Sequence, residues 1–426
     1  MTTDFTTRLP LAGTYDVLVA GGGLAGVGAA CAAARGGARV LLVERLEVLG
    51  GLGTSGGVGN FCFGDASLPA GQGRVFTDIW QGLAAYEAIG EEFGWQVRHS
   101  ALFFNWTFDH QVLALVLQDL LERDGVDLLF ATDVVGAVVA EGRVTAAVIH
   151  NRSLLQTVAA RIFIDATGDG ILARHAGAAA LPDDPDHPGS IPPSHMLFVQ
   201  PSAQPRPQVV VQPTSPETPP KFSVWEEPER IGLKLFYPEG HFDTATGVGY
   251  SDAGRAFRRR IPEIVRAFQE REPTRGAVFA GAAPMLGLRD SVRVAGDYVL
   301  TPDDLRAGRR FPDAVAHGCF PLDSSAITKE PMPPYQLPYR SLLVAGVDNL
   351  LVAGRCFSAT RVALASARVM PTCCLMGQAT GHAAAQACRE KIALRQVDPA
   401  AIRAALLAAS GDDAVLAARL VGEENP

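Results

Sequence analysis

From Asp16 to Glu44 the chain reads DVLVAGGGLAGVGAACAAARGGARVLLVE, a run that few folds can use. An apolar stretch, Val17 to Ala20, enters a loop in which Gly21, Gly23 and Gly26 fill the glycine places of G-x-G-x-x-G. The first glycine permits a tight turn, the second lets the backbone approach a pyrophosphate, and the third lets the next helix lie close on the strand. Ala25, Gly28, Ala29, Ala30 and Ala32 to Ala34 then give a helix of little side-chain bulk, whose N-terminal N–H groups favour negative charge. A second apolar run, Val40 to Val43, ends in Glu44. That acid stands at about the 20-residue spacing from which a carboxylate accepts ribose hydroxyls. In a chain with 44 glycines the motif alone is weak, but strand, loop, helix, strand and acid in this order predict a dinucleotide-binding βαβ unit. Glu44 repels a 2′-phosphate, although Arg45 beside it works the other way.

Glycine stays dense beyond Glu44. EVLGGLGTSGGVGNFCFG, from Glu47, is too glycine-rich for helix or ordinary strand, and Leu52, Val58, Phe61 and Phe63 interleave with the glycines. A backbone wrapped against an extended ligand is expected there rather than a solvated loop. Aromatic residues follow between 72 and 108 (Phe76, Trp80, Tyr86, Phe93, Trp95, Phe103, Phe104, Trp106, Phe108), about half of them expected in the core. Asp109 caps a helix whose Val112, Leu113, Val116, Leu117, Leu120 and Leu121 share one face. A buried strand at Leu128 to Phe130 precedes three alternating segments, Val134 to Val139, Arg143 to His150 and Thr157 to Ile164, with a hairpin turn at Glu141 and Gly142. The last runs into IFIDATGDG, where Gly168 and Asp169 lie in a second small-residue turn at a strand end, against the ligand.

From about Leu181 the βαβ alternation stops. Pro182 to Pro193 and Pro201 to Pro220 read as long loops, Phe257 to Glu270 as an amphipathic helix, and Val292 to Leu300 as a strand leading into a helix started by Thr301, Pro302 and Asp303. A separate, mostly antiparallel lobe carrying substrate contacts is expected. The first lobe returns with the strand Leu350 to Ala353, Gly354 and Arg355, and a small-residue helix starting at Pro371. The tail from Pro399 to Leu420 reads as an alanine-rich helical cap.

Net charge narrows the partners. At −8 the chain has no basic field for nucleic acid or anionic lipid, and no run of 18 apolar residues appears for a membrane span. The N-terminal stretch has neither a basic nor an apolar signal region, so a cytoplasmic protein is expected. Its seven cysteines are odd in number and lack C-x-x-C spacing, which suits reduced thiols and no metal. Cys373 and Cys374, adjacent at a helix start, read as small buried residues ahead of a low-pKa thiol pair.

The blocks LRDSVRVAGDYVLT (Leu288 to Thr301), LPYRSLL (Leu337 to Leu343) and NLLVAGRCFSATRVALASARVMPT (Asn349 to Thr372) resemble those of the FAD-dependent oxidoreductases with a glutathione-reductase-like flavin fold, in particular a broad bacterial group. The resemblance covers Asp16 to Lys391. It implies an α/β chain: a Rossmann-like FAD-binding domain, with a central parallel sheet and a β-meander, and an inserted, mostly antiparallel α+β substrate domain. The FAD-binding parts would be 14–60, 106–180 and 346–395, the substrate domain 61–105 and 181–345, and 396–426 a C-terminal helical cap. It further implies Gly21, Gly23 and Gly26 at the pyrophosphate, Glu44 at the ribose, and Val135 at the adenine through its backbone. Gly51, Thr54 and Gly57 would line the flavin. Asp169 would approach the ribityl chain or phosphates, and Gly354, Arg355 and the backbone from Met370 to Thr372 would close on the ring. Relatives often carry a histidine shortly after the aspartate of the block HGCFPLDSSAI, where this chain has Ser324 and Ser325 after Asp323, so no catalytic base transfers to that place.

The family leaves the substrate open. Arg289 and Arg293 suit an anionic substrate or an anionic flavin, and His317 and Tyr339 are the acid/base candidates. Three readings stand: hydride transfer between a small organic molecule and flavin N5, with the electron acceptor unassigned; flavin monooxygenation; and a non-enzymatic binding protein on the same fold, which the intact Gly23, Glu44 and Gly354 oppose. A second G-x-G-x-x-G opening a βαβ unit and a C-x-x-x-x-C beside the flavin loop are both missing, which disfavours a pyridine-nucleotide disulfide reductase.

Overall fold

The computed structural model describes residues 7–89, 97–99, 104–152, 154–183, 191–200, 221–226, 231–236, 242–269, 277–323, 330–411 and 413–421. The loop Pro201 to Pro220, the aromatics Phe93, Trp95 and Phe103, and Ser324 and Ser325 lie outside them.

The chain opens with β1 (Leu11–Ala20), α1 (Leu24–Arg35) and β2 (Val40–Val43). The two strands run parallel, Val17 opposite Val40 through Ala20 opposite Val43, and these eight residues are buried. Both faces are covered, which is why the strands are continuous apolar runs without alternation. Beyond a short turn at Gly51–Gly53, β3 (Asn60–Phe63) corrects the expectation that the glycine-rich stretch forms no strand. Phe61 and Phe63 bury on one side while Asn60 and Cys62 point to the other. After α2 (Gly73–Ala85) come β4 (Val97–His99) and β5 (Phe104–Thr107), making a three-stranded sheet in the order β3-β5-β4. Phe61 packs 5.0 Å from Phe76 and 4.2 Å from Phe108, so this aromatic group is core.

Asp109 then caps α3 (His110–Arg123) by accepting from the N–H groups of Gln111 and Val112. The chain re-enters the first sheet at β6 (Asp127–Leu129), parallel to β2, and continues as β7 (Thr132–Ala140), β8 (Arg143–Asn151) and β9 (Leu154–Asp165). Glu141 and Gly142 both take positive φ, 51° and 73°, as a tight two-residue hairpin requires. β9 is long enough to serve two partners on one side: its first half pairs antiparallel with β8, and its end pairs with a later parallel strand, while β1 runs along its other side. The short α4 (Ile171–His175) follows.

The second lobe is a four-stranded antiparallel sheet, β11-β12-β10-β13, built from β10 (Ser194–Gln200), β11 (Lys221–Glu226), β12 (Ile231–Phe236) and β13 (Val278–Ala282). Between β12 and β13 lies α5 (Gly247–Gln269), which starts ten residues before the expected Phe257. Tyr250, Ala253 and Phe257 continue one helical face onto Leu197 and Val199, and that packing offsets the low helix propensity of Gly247, Gly249 and Gly254. The expected strand at Val292 to Leu300 is instead an irregular crossing held by single bridges from Val294 to Ala180, Gly296 to Val344 and Leu300 to Ala359. Thr301 and Asp304 form a reciprocal cap on α6 (Pro302–Arg306), and β14 (Ala314–Gly318) pairs with β15 (Tyr335–Pro338).

β16 (Leu350–Val352) returns to β9, completing a seven-stranded sheet. Then come α7 (Arg361–Ala367), α8 (Met370–Glu390), α9 (Pro399–Ser410) and α10 (Ala414–Leu420). α8 packs on α1 backbone to backbone. A Cβ on Gly377 would lie 2.0 Å from the Ala25 oxygen, one on Gly381 2.3 Å from the Ala29 oxygen, and one on Gly28 2.5 Å from the Cys374 oxygen. The small residues of both helices therefore serve each other.

Candidate functional site

A cleft enclosing about 900 Å³, its open mouth included, runs past the N-terminus of α1 toward the N-terminus of α8. Gly21, Gly23, Gly50 and Gly51 line it, as do Gly168, Asp169, Gly354, Arg355 and Met370. Gly21 takes φ 99° against Ala166, where no Cβ fits, and a Cβ on Gly26 would sit 1.8 Å from the Gly21 oxygen. The loop is thus pressed between β9 and α1. Gly23, the N-cap of α1, provides no capping side chain, and a Cβ there would meet nothing. The first N–H groups of the helix therefore face a bare part of the cleft, where negative charge is favoured.

Glu44 is buried at the end of β2 and already holds the loop: it accepts from Gly22 N–H at 2.6 Å and Leu46 N–H at 2.9 Å. Beyond it a second opening is lined by Glu44, Arg45, Thr132 to Val135 and Asp169, and it shares Gly21, Glu44, Arg45, Thr167 and Asp169 with the first. The two make one elongated channel with Val135 at its outer end.

At the end of β9, Asp165 is fully buried, and desolvation raises its carboxyl even though Thr167 N–H (3.0 Å), the Thr167 hydroxyl (2.7 Å) and Ala173 N–H (2.9 Å) all donate to it. These bonds fold the Thr167–Asp169 turn. Asp169 projects from it to Arg355 at 2.8 Å and to the Ser291 hydroxyl. Burial opposes the Asp169 charge, but Arg355 and Ser291 outweigh it and hold the carboxyl below its usual range. Across the channel, α8 begins with Val369 as an uncapped N-cap and Pro371 in its first turn, and the Thr372 hydroxyl is buried without a hydrogen-bond partner among the described residues. Cys373 also reaches the cleft, but its thiol donates to the Arg368 oxygen at 3.1 Å, and burial pushes it up to about 12, so it is not a thiolate.

The remaining sequence candidates are placed elsewhere. Thr54 is buried on the Leu49 oxygen, and Gly57, φ 66°, packs against Ala283, Phe198 and Met196 of the second lobe. Arg293 is buried with its guanidinium on the oxygens of Ala359 (3.2 Å) and Pro182 (2.7 Å), bracing the irregular crossing. His317 bonds the Gly71 oxygen at 2.6 Å through Nε2, and burial brings it down to about 4, so the ring is neutral. The Tyr339 hydroxyl donates to the Leu394 oxygen at 3.0 Å, and burial raises it further. Neither lines the cleft. Arg289 lies next to cleft-lining Leu288, close enough to Arg368 to feel its charge. Tyr250, Met285 and Leu286 were not foreseen; they come from α5 and a loop whose sequence carries no ligand signal.

Among the described residues, no helix is long and apolar enough to cross a membrane, and no group of three or more metal-ligating side chains is placed to hold a metal ion. The channel's shape, its two uncapped helix N-termini and its bare glycine surface fit an elongated dinucleotide. A family model, FAD dependent oxidoreductase, matches residues 16–406. The chain belongs to that family: it is an enzyme and its cofactor is FAD. Among solved structures it is similar to a geranylgeranyl bacteriochlorophyll reductase-like protein from Thermoplasma acidophilum, at 14% identity over 96% of this chain and 92% of that one, with a TM-score of 0.47. It is also similar to a flavoprotein/dehydrogenase from Cytophaga hutchinsonii (17% identity, 88% and 79% covered, TM-score 0.46) and to a flavin-dependent brominase (14%, 92% and 82%, 0.47). No curated protein matches the chain in sequence.

Proposed function

We propose that the enzyme transfers hydride between a small organic substrate and the flavin of FAD held in this channel. What carries the reading is the continuity of the channel, from the bare N-terminus of α1, past Asp169 and Arg355, to the uncapped start of α8. Gly21, Gly23 and the first N–H groups of α1 would hold the pyrophosphate, with Gly26 fixing the turn. Glu44 would take the adenosine ribose, and Arg45 and the backbone of Val135 the adenine end. Asp169 and Arg355 suit the ribityl region, where a fixed carboxylate accepts hydroxyl donors. Gly51, Gly354, Met370 and Thr372 would border the ring system. The flavin, when bound, supplies a two-electron acceptor and donor at N5.

The chain's own contribution is placement and electrostatics. The α8 N-terminus, with the buried Thr372 hydroxyl beside it, would offer donors toward the ring edge, and the second lobe's Met285, Leu286 and Leu288 present apolar side chains that keep water from the channel. The sheet lobe, residues 14–60, 106–180 and 346–395, takes the cofactor in this reading, and the stretches 61–105 and 181–345 take the substrate, with 396–426 as a cap. Seven free cysteines suit a reducing, cytoplasmic setting. The test is anaerobic: small organic compounds are screened for bleaching of the flavin absorption, followed by recovery on adding an electron acceptor. Reduction by a pyridine nucleotide only, with an oxygen atom from O₂ appearing in the product, would replace this reading by monooxygenation.

A further inference from the structure

Arginines drawn into the interior of this protein are mostly answered at close range. Arg355 meets Asp169 at 2.8 Å, Arg361 meets Asp290 at 2.6 Å and Asp183 at 2.7 Å, and Arg293 meets the main-chain oxygens already described. Arg368 is different. It lines the cleft beside Met370 and Cys373 and keeps 14% of its side-chain surface. Its Nε, like that of Arg293, is buried without a hydrogen-bond partner among the described residues, but the rest of its guanidinium, unlike that of Arg293, has no main-chain oxygen bonded to it either. The carboxylate that approaches it, Asp323, stands off at 3.8 Å, beyond hydrogen-bond reach. Asp290 bonds Arg361 through Oδ2 and acts on Arg368 through its charge alone. Arg289 adds a second cation at the same place: burial, then the like charge of Arg368, brings it down to about 10, with Asp323 pulling the other way.

A guanidinium offers five N–H donors in a planar fork, and leaving part of that fork dry and unanswered costs free energy unless a ligand completes it. The group that fits the fork is a planar pair of oxygens sharing a negative charge. In the proposed function the start of α8 serves the flavin edge, which leaves the deficit at Arg368 for another molecule.

We infer that the substrate carries a carboxylate, or an equivalent planar oxyanion, received by Arg368 with Arg289 beside it. This rests on the reading that the channel holds FAD with its ring toward Met370.

The oxidised holoenzyme is titrated with acetate and benzoate, and separately with acetamide and benzamide, following the flavin absorption band and the thermal midpoint. The carboxylates should perturb both signals and the neutral amides neither. Arg368→Gln should weaken benzoate binding at least tenfold at unchanged FAD content, and Arg368→Lys, which keeps the charge but not the fork, should recover part of it. If Arg368→Gln does not fold, Arg289→Gln carries the same expectation. Equal binding of benzoate and benzamide, or wild-type benzoate affinity in Arg368→Gln, would overturn the inference. So would a variant changed only in flavin midpoint potential, because the arginines would then serve the cofactor. A wild-type protein that retains no FAD removes the channel reading and this inference together; full FAD content without a carboxylate preference removes this inference alone.

Discussion

The two walls of the channel are made of different material. The sheet lobe presents backbone: Gly21, Gly23, Gly50, Gly51, Gly168 and Gly354, with a Cβ on Gly51 finding only the Cα of Gly23 at 3.4 Å. The second lobe presents side chains, Tyr250, Met285, Leu286 and Leu288. A backbone wall recognises phosphate and hydroxyl groups through N–H and C=O groups that no side-chain substitution short of proline removes, but an added side chain blocks it. A side-chain wall can be rebuilt residue by residue without disturbing the sheet behind it. The first suits a constant ligand and the second a variable one.

That contrast is sharpest where backbone meets backbone. Gly26→Ala places a carbon 1.8 Å from the Gly21 oxygen, and Gly377→Ala places one 2.0 Å from the Ala25 oxygen. Neither oxygen can rotate away, so each substitution should cost about 3 kcal/mol or more in urea unfolding and abolish FAD retention. A stable Gly26→Ala protein with its full complement of FAD would break the comparison outright. Next in size is Glu44, the charged group that in the proposed reading takes a ribose hydroxyl beside the backbone wall. Glu44→Ala should weaken FAD by about 1.5–3 kcal/mol, roughly ten- to a hundredfold, in a flavin fluorescence titration.

Acid probes the same wall by another route. The folded Asp169 carboxyl is held below its unfolded value, so the stabilisation it brings is complete above the unfolded value, about 3.9, and is lost as pH falls through the lower folded one. Stability measured from pH 6 down to 3 should therefore fall more in the wild type than in Asp169→Asn, and equal slopes would mean that the Arg355 pair contributes nothing. The smallest effect belongs to the side-chain wall. Tyr250→Phe removes the hydroxyl that accepts from Leu286 N–H at 3.2 Å, worth about 0.5–1.5 kcal/mol, and should change FAD affinity no more than a few-fold. If it released FAD as readily as Glu44→Ala, the second lobe would be holding the cofactor and the division between the walls would be wrong.

The same division explains which parts of the molecule were readable in advance. The βαβ unit, the Asp109 cap, the Glu141–Gly142 hairpin, the Thr301 cap and the Pro371 helix start all depend on interactions within a few residues, and each appears where its residues stand. α5 begins early because distant Leu197 and Val199 cover its first turns, and Val292 to Leu300 is no strand because Arg293 turns inward to the oxygens of Pro182 and Ala359. His317 and Tyr339 have the chemistry of proton carriers, yet main-chain oxygens from far along the chain occupy both.

By itself the sequence determined that a dinucleotide lobe with a glycine loop, a terminal acid and a returning small-residue helix would form, because glycine conformations, caps and apolar runs act over short chain distances. Only the tertiary structure decided that Gly377 and Gly381 exist to admit α1, that Tyr250 and Met285 face the cleft, and that Arg368 stands there with its nearest carboxylate at 3.8 Å while Arg361 is held by two carboxylates and Arg293 by two main-chain oxygens. An arginine reads the same in every sequence; whether it braces a fold or awaits a ligand depends on which oxygens, brought from elsewhere in the chain, reach it first.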